Sequence, residues 1–110
     1  MKVSELIEKL DLEVTAGAKE VNREVKGCYI GDLMSLAMTG VGEKDIWITI
    51  QTNMNVVAVA ALAEAACVIM ADGLTPDANA AKKADNEGVV LLSSQKSAYE
   101  IAKALGELGI

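Results

Sequence analysis

The segment that most restricts the fold of this chain is Ile46-Trp-Ile-Thr-Ile50, followed by Gln51-Thr52-Asn53-Met54-Asn55 and the very apolar run Val56 to Ala66. β-Branched and aromatic side chains suit a pleated, buried surface, so Ile46 to Ile50 reads as a buried strand. Gln51, Thr52, Asn53 and Asn55 are uncharged polar residues, of which Thr and Asn readily cap helices and turn the chain. Strand, tight turn and capped helix in that order are the layout at which open α/β sheets bind ligands. The helix that follows is apolar on nearly every side, through Val56, Val57, Ala58, Val59, Ala60, Ala61 and Leu62. Such a helix needs cover beyond its sheet face, from a neighbouring helix or from another subunit.

The same rhythm recurs along the chain. Ser4 is placed to cap a first helix with Leu6, Ile7 and Leu10 as its apolar stripe. Leu12 to Thr15 alternates like a short strand that Gly17 ends, and Ala18 to Glu24 is a polar loop or a turn of helix. Val25 to Ile30 reads as a strand leading through Gly31-Asp32 into a short helix, Leu33 to Met38, and Gly40-Val41-Gly42 is a turn. Cys67 to Met70 is a strand ending at Asp72-Gly73; Pro76-Asp77 opens a helix that Gly88 closes. Val89 to Leu92 is a strand ending in Ser93-Ser94, and a last helix runs from about Ser97 to Gly109, with Tyr99, Ile101, Ala102, Leu105 and Leu108 on its inner face. Alternation of strands and helices at this length predicts an α/β fold: a single domain over residues 1–110, with a largely parallel sheet of four to five strands flanked by helices.

Composition removes several function classes. The net charge is −6 and no basic cluster exists beyond Lys82-Lys83, so the expectation is no nucleic acid and no anionic membrane surface. The run Met54 to Ala71 is the only membrane candidate, but Glu64 interrupts it and Ala contributes little transfer energy. No secretory leader is legible at residues 1–15, which makes a cytoplasmic location the expectation. Histidine is absent, so no ordinary catalytic triad can form. Cys28 and Cys67 fit no metal or redox spacing and read as small buried hydrophobes; neither a metal site nor a cofactor is expected. Gly40-Val41-Gly42 precedes a strand instead of following one, so it is not a dinucleotide fingerprint, and no phosphate-loop lysine motif is present.

The candidate binding residues lie at strand ends that a parallel sheet would bring to one edge. They are Gln51, Thr52 and Asn53, with Asn55; Asp72; and Ser93 and Ser94, with Ser97. Two of these junctions open helices, whose free N–H groups favour an anion, with Asn53 or Asn55 and Ser94 or Ser97 as the caps. Plain capping and turning is the competing reading for each residue. Asp32 supplies a carboxylate at another strand-to-helix junction, suited to a ribose, an amine or a metal, or equally to a helix cap. Lys96, beside Ser93 and Ser94, is a weak phosphate-binding hint.

Asn22-Arg23-Glu-Val-Lys-Gly27, Tyr29-Ile-Gly-Asp32-Leu-Met-Ser35, Asp45-Ile-Trp-Ile-Thr-Ile-Gln-Thr52, Asn55-Val-Val-Ala-Val-Ala60 and Ser97-Ala-Tyr-Glu-Ile-Ala102, taken in order, resemble the DRTGG-domain family. The literal D-R-T-G-G string is absent; Asn22-Arg23 with Gly27 is a loose echo of it. The resemblance implies a small α/β domain, found alone and as an accessory or dimer-forming part. It is similar to the domain beside CBS domains in some inorganic pyrophosphatases, to one in phosphotransacetylases, and to the amino-terminal domain of HPr kinase/phosphorylase. Stand-alone relatives often carry His where this chain has Asn53, so hydrogen bonding, not proton transfer, is what this position keeps. Asp32, Ser35, Gln51, Thr52, Asn55 and Ser97 best match the family's polar pattern.

Together these readings favour a non-catalytic regulatory module, homodimeric, with a small anionic ligand such as a nucleotide as the candidate occupant of the strand-end edge. The runner-up is a structural adaptor with a protein partner in a larger cytoplasmic complex. A small metal-dependent phosphoryl-processing enzyme built on Asp32 or Asp72 ranks last.

Overall fold

Ile46, Trp47 and Ile48 are fully buried, as are Cys67, Val68, Ile69 and Met70, so two neighbouring strands must be covered on both faces. In the computed structural model, which describes Met1–Ile110, this is achieved by three layers. The chain runs α1 (Val3–Lys9), β1 (Glu13–Ala16), a single 3-10 turn (Ala18–Glu20), β2 (Gly27–Ile30), α2 (Met34–Gly40), β3 (Asp45–Thr49), α3 (Met54–Ala63), β4 (Cys67–Met70), α4 (Ala78–Glu87), β5 (Leu91–Ser93) and α5 (Ala98–Glu107). One five-stranded sheet has the order β1-β5-β4-β3-β2. β2 to β5 are parallel neighbours and β1 is antiparallel to β5, giving a mixed, mostly parallel α/β sheet.

The parallel strands follow one another across the sheet in chain order. Crossovers of one hand then place their helices on one face, and α2, α3 and α4 bury Ala37, Val56, Val57, Ala60, Ala80 and Ala84 against Trp47, Val68, Met70 and Leu91 there. The opposite face receives the two terminal helices. α1, with Leu10 just after it, and α5 pack Val3, Leu6, Leu10, Ile101 and Leu105 against Ile46, Ile48, Cys67, Ile69, Val90 and Leu92. Ala-rich α3 and α4 allow close approach to the sheet, which accommodates the indole of Trp47 and the one hydrogen bond it needs, to the Gly31 carbonyl at 2.9 Å.

Helix boundaries follow local chemistry in most places. The Asn53 side chain accepts the Asn55 N–H at 2.9 Å and starts α3; Ser97 and Glu100 form a reciprocal capping box at the start of α5. Gly88, in the left-handed region, closes α4 as expected. Ser4 does not cap α1. It lies inside the helix, because the Val3 and Ser4 N–H groups donate to the carbonyls of Arg23 and Val21 at 2.9 and 2.8 Å, so the chain ahead of β2 satisfies the helix start. Tyr99 is 74% exposed and not on the inner face of α5; it sits two residues from Ile101, nearly opposite the Ile101–Leu105 stripe.

Cys67 is buried as expected, but Cys28 is exposed, because β2 turned out to be an edge strand. Cys28, Ile46 and Cys67 stand in one row across three strands, too far apart at the ends of the row for a disulfide. Burial pushes the Cys67 thiol up to about 12, with Cys28 adding to the shift and Arg23 opposing it. Desolvation against the sheet, then the Asp45 carboxylate, raise Cys28 to about 11.

Gly17 has φ +74°, and a Cβ there would fall 2.2 Å from the Val89 carbonyl oxygen. Gly17→Ala should therefore cost at least about 2 kcal/mol in urea unfolding read by Trp47 fluorescence; a neutral substitution would refute the close approach. The folded chain keeps both thiols protonated where the unfolded chain begins to ionise near 9.0, so stability should fall as pH rises through that value. At pH 8 a thiol reagent should label Cys28 slowly and Cys67 only after denaturation, counted by mass spectrometry.

Candidate functional site

All four parallel strands end at one edge, and Asp32 ties two of those ends together. Its Oδ1 accepts the Thr49 hydroxyl and the Ile50 N–H, each at 2.8 Å, while its backbone carbonyl accepts the Gln51 amide at 3.0 Å. Gln51 in turn accepts from the Asn53 amide at 3.2 Å, and Asn53 caps α3. Thus the exits of β2 and β3 and the start of α3 form one hydrogen-bonded chain of side chains. Asp32 is not the cap of α2; Leu33 occupies that position, and the Asp32 carboxylate turns to β3 instead.

A second group forms at the exits of β4 and β5. The Asp72 N–H donates to the Lys96 carbonyl at 2.9 Å and the Gly73 N–H to the Ser94 carbonyl at 2.7 Å. Asp72 and Gly73 both take positive φ, 60° and 73°, which turns the chain tightly enough for these bonds. The buried Ser94 hydroxyl accepts the Lys96 N–H at 3.1 Å, and the buried Ser93 hydroxyl donates to the Leu74 carbonyl at 2.6 Å. Between the groups, the Thr52 hydroxyl donates to the Asp77 carboxylate at 3.1 Å, and the Asp77 N–H to the Thr52 carbonyl at 2.9 Å.

The candidate residues therefore divide. Asp32, Gln51 and Asn53 are brought together; Asp72, Ser93 and Ser94 lie in the second group; Ser97 is engaged with Glu100. Ser35 and Asn55 are exposed on α2 and α3, and Asn55 lines a groove between those helices. Ser93 also lines a hollow of about 390 Å³ with Asp11, Leu12, Glu13, Thr75 and Gln95, whose carboxylates make it acidic. Sequence reasoning missed Thr49 and the Thr52–Asp77 bond. Thr49, only 2% exposed, was legible as the one hydroxyl within an apolar strand.

Strand order does not reverse beside β3, so the crevice that a reversal opens in doubly wound sheets does not form there. Asp32, Asp72, Asp77 and Lys96 all lie at this edge, three carboxylates to one ammonium group. Its groups best suited to recognition are accordingly amides and carboxylates, which bind hydroxyl, amine and base edges more readily than phosphate. Arg23, the echo of the family string, is at the opposite end of the sheet. Its guanidinium donates to the Gly88 carbonyl at the end of α4 and lines a hollow of about 320 Å³ with Glu64 and Glu87.

The Asp32 tie has a measurable consequence. Asp32→Ala leaves the buried Thr49 hydroxyl and the Ile50 N–H without their acceptor, which should cost about 1–2 kcal/mol in urea unfolding. Asp32→Asn keeps the acceptor oxygen and should lose less than about half as much. Equal losses would show that the charge, not the acceptor, holds the two strand ends.

The comparisons with known proteins agree with this architecture. A solved structure of the CBS and DRTGG domains of the regulatory region of Clostridium perfringens pyrophosphatase, complexed with the activator diadenosine tetraphosphate, superposes with a TM-score of 0.71 at 11% sequence identity. The likeness covers 94% of this chain and 45% of that one, so this chain spans less than half the length of its structural neighbour. At that identity the match speaks for the fold alone. No curated protein matches the sequence. The DRTGG domain model matches residues 5–108, nearly the whole sequence, and the chain belongs to the DRTGG domain family.

Proposed function

We propose that this chain is a non-catalytic regulatory module of the cytoplasm, a DRTGG domain over residues 1–110 that acts as a homodimer and binds a nucleotide at its strand-end edge. The observation that carries the reading is the fold shared with a pyrophosphatase regulatory region crystallised with a nucleotide activator. The edge supplies the complementary chemistry. Gln51 and Asn53 offer amide donors and acceptors suited to a base, Asp32 an acceptor for ribose hydroxyls, and Lys96 a cation for phosphate. Asp32, Thr49 and Gln51 hold strand ends through their own hydrogen bonds, an arrangement suited to presenting groups and not to cycling protons.

Because carboxylates share the edge with one lysine, base and ribose should provide the discrimination. Thermal-shift titration with AMP, ADP, ATP and diadenosine tetraphosphate should raise the melting point, by an increment that grows with ligand concentration. Inorganic phosphate and pyrophosphate should raise it far less. A melting point indifferent to every nucleotide would overturn the ligand half of the reading. Equal stabilisation by pyrophosphate would show that phosphate, not base and ribose, is recognised.

One observation favours the structural adaptor as a second reading. Leu62, Met38 and Met54 are exposed together on α2 and α3, a face that suits a protein partner. Affinity capture from the native cell that returns a stoichiometric second protein, without a second copy of this chain, would favour the adaptor.

A further inference from the structure

We infer that the α2–α3 face is where two copies of this chain dock on each other, an inference that rests on the homodimer reading and assigns it a surface. The neighbouring helices α2 and α4 cover the flanks of α3, yet its outward stripe stays bare. Leu62 is 74% exposed, Met54 43%, and Met38 of α2 55%. Between the two helices runs a groove of about 260 Å³ lined by Met34, Met38, Asn55, Ala58, Val59 and Leu62. A helix with polar residues on this side would need no cover; this one presents Met54, Ala58, Ala61 and Leu62.

Three features point to a second copy as the occupant. The first is area. The exposed parts of Met38, Met54, Ala58 and Leu62 amount to roughly 350 Å², most of the apolar share of the ~800 Å² per partner that a standard interface buries. Ser35, Thr39 and Asn55, all exposed and uncharged, border the apolar surface and suit a polar rim. The second is shape. Leu62 is a ridge standing at the wall of a groove on the same face, so a two-fold axis sets each Leu62 into the partner's groove, as isologous helix packing requires.

The third feature is charge. No charged residue occurs from Leu33 to Gly42 or from Ile46 to Ala63, which together build both helices. Two copies of a chain with net charge −6 repel each other wherever carboxylates meet. On this face they meet without bringing like charges together. A differently charged partner would be expected to find complementary charges here, and the face has none.

Sedimentation equilibrium on the full chain tests the inference, with Leu62→Glu, Met38→Glu and the neutral Leu62→Ser as variants and Tyr99→Glu on α5 as the control. Circular dichroism and Trp47 fluorescence confirm the fold of each; Leu62, Met38 and Tyr99 are solvent-exposed, so the fold should survive. The expected result is a wild-type dimer, dissociated at least 100-fold more readily by Leu62→Glu and Met38→Glu, more weakly by Leu62→Ser, and unaffected by Tyr99→Glu. A dimer that persists in all three face variants would overturn the assignment of this surface and leave the homodimer reading standing. A wild-type chain that is monomeric from micromolar to millimolar concentration would overturn both.

Discussion

Complete burial of the β3–β4 pair is the constraint on which the rest of the molecule depends. Side chains from Ile46 to Ile48 and from Cys67 to Met70 point alternately to both faces and reach no solvent on either. Each face therefore needs a layer of helices. Successive crossovers of one hand supply only one such layer, α2 to α4. The other layer must come from segments that are not crossovers, and α1 and α5 at the two ends of the chain provide it. These two helices carry half of the core, with Val3, Leu6, Ile101 and Leu105 nearly or fully buried, and Arg23 and Val21 carbonyls holding the start of α1.

Much of this was readable from local pattern, and two of the three failures share one cause. The units β3–α3, β4–α4 and β5–α5 were legible because each combines an apolar strand, a turn residue and a helix cap within about twenty residues. Asn53, Gly88 and Ser97 do locally what their chemistry predicts. Ser4, Tyr99 and Cys28 went the other way. Ser4 loses its capping role because its N–H donates to the distant Val21 carbonyl, and Cys28 is exposed because β2 lies at the edge. Neither strand order nor register appears in the period of a single segment. Tyr99 was a misjudged phase, an aromatic read into a stripe that Ile101 and Leu105 already fill.

The candidate site shows the same division. That polar residues gather at the strand ends was legible; what they do there was not. Asp32 offered a carboxylate for a ligand or a cap; it is not the cap, and its Oδ1 accepts from Thr49 and Ile50 on the neighbouring strand. Such a bond joins residues seventeen and eighteen positions apart, and only the register of β2 against β3 creates it. Every buried polar side-chain atom has a partner, so the edge is already satisfied as it stands. A ligand there gains little from rescuing stranded groups. On the proposed reading, affinity comes from exposed capacity, chiefly the solvent side of the Asp32 carboxylate, and from shape.

The position of α2 and α3 gives this edge mechanical reach. α2 begins directly after Asp32, and α3 begins at Asn53, so both helices start from the hydrogen-bonded chain that runs Asp32, Gln51, Asn53. The same two helices present the uncharged outer face with Met38, Met54 and Leu62. No flexible linker separates edge from face; each helix is pinned at one end and exposed along one side. Any ligand that binds more tightly to one arrangement of the Asp32–Gln51–Asn53 chain shifts the footing of both helices by that difference in affinity, and a ligand indifferent to the arrangement shifts nothing. On the proposed reading, regulation through this domain reduces to a physical requirement: a nucleotide at the edge must distinguish two settings of a short chain of neutral hydrogen bonds. Bonds of about 1 kcal/mol each match that role, because coupling of regulatory size needs only about 1–3 kcal/mol in total.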